Sequence, residues 1–325
     1  MKRVVAREFG GPERLTVESA AQPSVPGPGE VLVAVEAAGI NYLDVYQRKG
    51  LRKLPLPFTP GLEGVGRVRE LGDDASDVSG AIRVGQRVAW INVPGSYASQ
   101  IVVPATKTVV VPGSFAVTQA LLFQPLTAQY LVTEYRHVQP GDHVLVHSAA
   151  GGVGQLLVQW MKHLGAWVVG TASSDVKCAA IRAAGADAVV NYGHDYVFLD
   201  DVMSITSGRG VDLAFDAVGA ATLHATLKAL ARGGTAVSYG QASGPAPAIE
   251  PRELTERCLR LAAGSVFTYT TDPKEFQQRA AAVIEGIEAG WLHVGRAKEY
   301  KLEQAAEAHR ALETRATQGK LYLTP

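Results

Sequence analysis

The stretch LVHSAAGGVGQLLVQW, residues 145–160, decides how the rest of the chain is read. A short apolar run stops at a glycine-rich turn, and a helical pattern begins inside that turn. A strand–turn–helix of this kind aims free backbone N–H groups and a helix dipole at one point, which suits a pyrophosphate. The dinucleotide fingerprint G-x-G-x-x-G is met only in part, with Ala149 in the first place, Gly151 in the second and Gly154 in the third. Gly151 lets the backbone approach phosphate, and Gly154 lets the helix pack closely on the sheet. Alanine can serve the first place if its φ is negative. Taken alone, the loop is as much a packing turn as a cofactor cradle.

Its surroundings favour the cradle. From Phe123 to about residue 265, apolar strands alternate with helices. HVLVHSA, AWVVGTA, DAVVNY, VDLAFDAVG and GTAVSYG read as strands. GGVGQLLVQWMKHLG, DVKCAAIRAAG, FLDDVMSITSG and ATLHATLKALARGG read as the helices between them. Such alternation predicts a parallel sheet covered by helices on both faces, and the strands are apolar throughout, as that burial requires. The first 120 or so residues differ. EVLVAVEAAGI, VGRVREL, RVAWINV and YASQIVV are short strands broken by Gly and Pro, which predicts a β-rich, barrel-like domain. After residue 270 the chain returns to helix and short strands, without internal repeats. A length of 325 residues fits two domains.

Composition narrows the partners. Lys plus Arg and Asp plus Glu both number 31, and no basic stripe is present, which argues against nucleic acid. The densest basic group, Arg48, Lys49, Arg52 and Lys53, reads as a solvated loop. Two distant cysteines, Cys178 and Cys258, provide neither a disulfide framework nor a Cys-rich zinc site. The N-terminus lacks the apolar core of a signal peptide and no run spans a bilayer. A soluble, cytoplasmic protein with no membrane partner is expected.

The end of the second strand sets the cofactor. An NAD site places an Asp or Glu about 20 residues beyond the loop to hold the ribose 2′-hydroxyl. Here Ala172, Ser173 and Ser174 occupy that region, with Lys177 one helical turn on. Small hydroxyls and an ammonium accept a 2′-phosphate, which a carboxylate would repel. Asp175 beside them either opposes a phosphate or caps the helix. The cofactor predicted is NADPH.

The chain also carries a family resemblance. AAGIN followed by Asp44, GLEGVGRV, GQRV and AAGGVG together resemble the medium-chain dehydrogenase/reductase superfamily. GINYLDVYQRKG, HSAAGGVGQLLVQWMKHLGAWVVGT and RATQGKLYLTP are similar to its NADPH:quinone oxidoreductase (zeta-crystallin-like) branch, and the similarity runs end to end. The resemblance implies an α/β protein: a GroES-like β-rich catalytic domain from residues 1–122 and 266–325, and a Rossmann doubly wound parallel sheet from 123–265. It implies hydride transfer from nicotinamide C4 to a quinone in the cleft between domains, and a homodimer formed through the edge of the Rossmann sheet. An enone or enoyl reductase, and a non-catalytic NADPH-binding protein of structural or RNA-binding kind, stand as alternatives.

Zinc enzymes of this superfamily carry Cys after AGI and His in GHE, where this chain has Asn41 and Leu62. Of that ligand set only Glu63 remains, too little for a catalytic zinc, which takes about three protein ligands. By the same resemblance Asn41, Asp44 and Tyr46 line the nicotinamide, with Asn41 bonding the cofactor and Tyr46 stacking or donating a proton. A capped turn is the alternative for Asp44. Gly151, Gly152 and Val153 approach the phosphates; Ser173, Ser174 and Lys177 take the 2′ end. Thr127 stands near the nicotinamide, Tyr192 by the adenosine ribose, and Tyr239, Gly240 and Gln241 at another strand end. Phe267 passes the carboxamide through its main chain, and Arg315 reaches a cofactor phosphate. His147 reads as structural. Leu51 and Arg52, and the lack of arginine in FTYTTDP, depart from relatives in the region of the acceptor.

Overall fold

The computed structural model describes every residue except 24, 77–79, 81, 296 and 315–318. The chain divides into two compact units: Met1–Phe123 with Tyr269–Glu285 and Arg296–Pro325, and Gln124–Thr268 with Gly286–Gly295. In chain order the first unit opens with β1 (Lys2–Ala6), β2 (Leu15–Ser19), β3 (Glu30–Ile40), α1 (Tyr42–Arg48) and β4 (Glu63–Leu71). It continues with β5 (Arg87–Ile91), β6 (Gln100–Pro104) and β7 (Thr108–Val110). Then come α2 (Phe123–Glu134), β8 (His143–Val146), α3 (Gly152–His163), β9 (Trp167–Ala172), α4 (Asp175–Ala183) and β10 (Ala188–Asn191). Next are α5 (Leu199–Ile205), β11 (Val211–Asp216), α6 (Leu223–Ala229), β12 (Leu230–Ser238), α7 (Pro251–Thr255) and β13 (Arg260–Ala263). The chain closes with α8 (Pro273–Glu288), β14 (Ala297–Lys301), α9 (Ala305–Glu313) and β15 (Lys320–Thr324).

The first unit is built on a seven-stranded sheet in the order β14-β15-β3-β4-β5-β7, with β6 also on β3. Strand β3 alternates between half-buried and buried residues in its first half, then buries every residue from Ala37 to Ile40. One core cluster gathers Val31, Val33, Val68, Val88 and Trp90. A second joins Ala38, Ile40, Leu321 and Leu323 to Ala305 and Ala308 of α9. Both β4 and β15 run antiparallel to β3, with Ala38 opposite Gly64 and Leu321 opposite Ile40. The starts of β4 and β15 therefore meet the end of β3, and that convergence places the polar cluster described below.

The second unit holds six parallel strands in the order β10-β9-β8-β11-β12-β13. Chain order runs outward from β8 to one edge and then from β11 to the other. The turn after β8 lies at the topological switch point, where open α/β sheets bind ligands. Leu145, Val169, Val190, Val211 and Ala236 share a core with Phe198 and Leu227. One predicted boundary moves. The helix expected through ATLHATLKALARGG ends at Ala229, because Leu230 turns extended (φ −71°, ψ 145°) and pairs with Val211. The helical spacing of LHATLKALA does not reveal this, since buried strand and buried helix residues are equally apolar. Among the described residues no helix is long and apolar enough to cross a membrane.

Candidate active site

In the second unit the glycine loop is formed by backbone geometry. After β8 the chain turns through Ser148, at φ 52°, while Ala149 keeps a negative φ. Alanine is thus admissible in the first fingerprint place, because the left-handed residue is its neighbour. A Cβ on Gly154 would stand 2.5 Å from Ser148 O and 2.6 Å from Ala149 Cα, so helix and turn pack too closely for a side chain. A Cβ on Gly152 would collide with the Gln124 amide. Gly151 is the N-cap of α3 and, lacking a side chain, makes no side-chain cap bond to its amides. An open helix N-terminus at the switch point is a fitting cradle for a pyrophosphate.

The end of β9 carries the polar set read from the sequence. Ala172 is buried, and Ser174, not Asp175, caps α4: its hydroxyl faces the Lys177 N–H at 3.5 Å. Asp175 sits in the first turn and accepts a bond from Asn191 Nδ2 (2.8 Å). The Lys177 ammonium donates to Ser173 Oγ at 3.3 Å. A hydroxyl, a cap and an ammonium are thereby gathered at one strand end, with the nearby carboxylate engaged elsewhere. Tyr192 follows β10, its N–H donating to Ala172 O (2.9 Å), and its ring lies 5.0 Å from that of Tyr196. Tyr239 and Gly240 follow β12; a Cβ on Gly240 would meet Ala217 O at 2.5 Å. Thr127 is buried on α2, and Phe267 follows β13 with its N–H on Ser265 Oγ (3.3 Å). Arg315 lies outside the described residues.

His147 stands just before the loop, fully buried between Thr171 Oγ1 (2.9 Å) and Thr226 Oγ1 (3.0 Å). Thr226 in turn donates to Asp216 Oδ2 (3.0 Å), so its oxygen accepts the proton on His147 Nε2. Burial lowers the pKa of this imidazole and keeps it neutral. The chain of bonds ties β8, β9, β11 and α6 together.

The first unit gathers Asn41, Asp44 and Tyr46 on and before α1. Asn41 is the N-cap and is almost fully buried. Its Nδ2 donates to Glu63 Oε1 (2.9 Å), and its Oδ1 accepts from Lys320 Nζ (3.0 Å). Lys320 also pairs directly with Glu63 Oε1, while Glu63 Oε2 accepts the Phe123 N–H (3.0 Å). The three residues come from the end of β3 and the starts of β4 and β15. Gly39 is glycine because a Cβ there would strike the Glu63 carboxylate.

Asp44 is wholly enclosed. Its Oδ2 accepts the Asn41 N–H (2.8 Å) and the Tyr97 hydroxyl (3.0 Å), and its Oδ1 has no partner among the described residues. Burial raises the Asp44 carboxyl to about 7, opposed by these two donors and by Lys320. Because the Tyr97 hydroxyl donates to Asp44, its oxygen accepts from His309 Nε2 (3.1 Å), and Nδ1 has no partner among the described residues. Burial, assisted by Arg48, pushes His309 down to about 3. Tyr46 is half-buried, and its carbonyl receives the N–H groups of Leu51 (2.9 Å) and Arg52 (3.2 Å). The basic group expected as a solvated loop is partly internal: Arg48 has no exposed surface and lies 2.9 Å from Glu313, which also pairs with Lys49.

The cluster does not suit a catalytic zinc. Leu62 provides no donor, Asn41 offers an amide, and an ammonium already occupies the Glu63 oxygen a metal would need. Among the described residues no group of three His, Cys, Asp or Glu could hold a metal ion. The loop of the second unit, by contrast, fits a dinucleotide. Lys320, Tyr97 and His309 escaped sequence reasoning. The one signal for Lys320 is a lysine opening an apolar strand, KLYLT.

Residues 27–113 match the alcohol dehydrogenase GroES-like domain, and residues 152–285 match the zinc-binding dehydrogenase family. The chain is 35% identical over 333 residues to a 2-haloacrylate reductase of Burkholderia sp, covering 99% of this chain and 98% of that protein. It is 39% identical over 300 residues to a probable quinone oxidoreductase of Schizosaccharomyces pombe, covering 92% and 89%. The crystal structure of Escherichia coli quinone oxidoreductase complexed with NADPH matches with a TM-score of 0.93 at 32% identity, covering 100% of both chains. A GroES-like unit and a Rossmann sheet in one chain define a medium-chain dehydrogenase/reductase. Within that superfamily, the chain belongs to the quinone oxidoreductase family.

Proposed function

We propose that this protein is an NADPH-dependent, zinc-independent reductase whose acceptor is a quinone. The observation that carries the reading is the Lys320 ammonium bound to Asn41 and Glu63, at the positions where zinc relatives place metal ligands. With an ammonium there, the acceptor must take a hydride without a Lewis acid. A quinone does so readily, because its reduction yields an aromatic ring. Bound NADPH supplies the hydride from its nicotinamide C4. The amides at the start of α3, with Gly151, Gly152 and Val153, receive the pyrophosphate, and Ser173, Ser174 and Lys177 receive the 2′-phosphate. The NADPH complex of the E. coli relative supports this choice of cofactor.

Asn41 has one Nδ2 hydrogen left for the ribose or carboxamide after its bond to Glu63. Asp44 acts indirectly in this scheme, by accepting the N–H of Asn41, the N-cap of α1. Tyr46 stacks or donates a proton; Thr127, Tyr192, Tyr239, Gly240, Phe267 and Arg315 complete the cofactor contacts. Positioning and exclusion of water, not a strong side-chain acid, lower the barrier, and the hydroquinone anion left by hydride transfer takes its one proton from Tyr46 or from solvent. Strand β13 ends the Rossmann sheet and supports pairing with a second copy. A homodimer in the cytoplasm is part of this proposal.

A second reading is reduction of an activated alkene, favoured by the likeness to a 2-haloacrylate reductase and by the departures at Leu51 and Arg52. NADPH oxidation measured with 1,4-benzoquinone, 2-chloroacrylate and an α,β-unsaturated ketone separates them. Fastest turnover with the quinone is expected; turnover with only the alkenes would replace the quinone assignment.

A further inference from the structure

We infer that Lys320 is a positioning residue for the nicotinamide half of the site: its ammonium, fixed on Glu63, holds the Asn41 amide in one orientation. The inference rests on the proposal that Asn41 contacts the cofactor.

An asparagine amide can be turned end for end at little cost when its neighbours both donate and accept. Here they do not. The ammonium of Lys320 has only donors to offer, and it lies 3.0 Å from Asn41 Oδ1. The Glu63 carboxylate only accepts, and it lies 2.9 Å from Asn41 Nδ2. Turning the amide would set N–H against ammonium and carbonyl against carboxylate, two repulsions in a buried place. Lys320 is 3% exposed and Glu63 0%, so little water screens either charge. The remaining Nδ2 hydrogen of Asn41 therefore points in a fixed direction before any ligand arrives.

The geometry also locks the lysine. Its first residue pairing places Leu321 opposite Ile40, so Lys320 lies beside the turn into α1, and its ammonium approaches Ile40 O at 3.5 Å. The carboxylate is held from its other side by the Phe123 N–H. Gly39 leaves the space through which the Glu63 side chain crosses β3. An internal cation thus organises residues that zinc relatives organise around a metal.

The test is a double-variant cycle on NADPH binding, read by fluorescence, with kcat and KM measured on the same proteins. Asn41→Ala and Lys320→Met are each expected to weaken NADPH by about 10-fold or more, the scale of a hydrogen bond to or oriented by a charged group. The combined variant is expected to bind no more weakly than Asn41→Ala alone, because Lys320 acts through Asn41. Where Lys320→Met fails to fold, Lys320→Met/Glu63→Gln removes both buried charges and enters the same cycle. Affinity for NADPH within 2-fold of the unmodified protein in the lysine variant, or losses that multiply in the combined variant, would overturn the inference. If Asn41→Ala itself leaves NADPH affinity and KM unchanged, the placement of Asn41 at the cofactor fails first, and the inference falls with it.

Discussion

Lys177 Nζ donates to Ser173 Oγ at 3.3 Å, tying the first turn of α4 to the end of β9. The bond gathers a cation and a hydroxyl where NAD enzymes need a carboxylate. Lys177→Ala is therefore expected to weaken NADPH by about 10- to 100-fold while leaving NADH within 2-fold, as loss of a charge-assisted bond to phosphate dictates. Titration of both cofactors against both proteins checks it. Equal affinities for NADPH and NADH in the unmodified protein would contradict the assignment.

Asp44 and His309 face each other across the Tyr97 hydroxyl and titrate in opposite senses. Asp44 is raised from 3.8 to about 7, so its contribution to stability is full at low pH and is lost as pH rises to about 7. His309 is lowered from 6.5 to about 3, so its neutral form costs stability as pH falls below 6.5. Between pH 4 and 6.5 the two slopes oppose. Removing one unmasks the other. Relative to the unmodified protein, Asp44→Asn should gain about 1.4 kcal/mol per pH unit on raising pH through this window, and His309→Gln should lose as much. Urea unfolding at about pH 4.5 and about pH 6 reads both slopes. Parallel pH profiles for all three proteins would refute the coupling.

The glycine loop makes a paired prediction. Gly154→Val places a branched side chain where even a Cβ meets Ser148 O at 2.5 Å, so NADPH binding should be lost and the melting temperature lowered. Ala149→Gly restores the missing fingerprint glycine, but Ala149 already has a negative φ. It should leave NADPH affinity within 2-fold and cost about 0.4–1 kcal/mol of stability through the freer unfolded chain. Calorimetry and NADPH titration of the two variants decide it. A marked gain in affinity for Ala149→Gly would show that the alanine strains the turn.

The Rossmann sheet is legible in the sequence because parallel strands buried on both faces appear as apolar runs between amphipathic helices. HVLV, AVVN and VDLAFD are found where the runs lie. The strand starting at Leu230 is not, since its first residues continue the helical spacing of α6. The polar group at the end of β9 is also visible in the sequence, because Ser173, Ser174 and Lys177 are sequence neighbours on one strand–helix junction. The cluster around Asn41 is not. Glu63 and Lys320 are 257 residues apart and meet only through the antiparallel packing of β4 and β15 on β3. Likewise, Tyr97 and His309 are polar residues whose partners are set by tertiary contact, and no local spacing announces them.

Whether the protein reduces its acceptor from NADPH without a metal is read most directly in one measurement. The protein is stripped with a strong chelator, assayed for bound metal, and tested for NADPH oxidation with 1,4-benzoquinone before and after zinc is added. Undiminished turnover in metal-free protein, unaffected by zinc, is the predicted result. Activity that disappears on chelation and returns with stoichiometric zinc would contradict it.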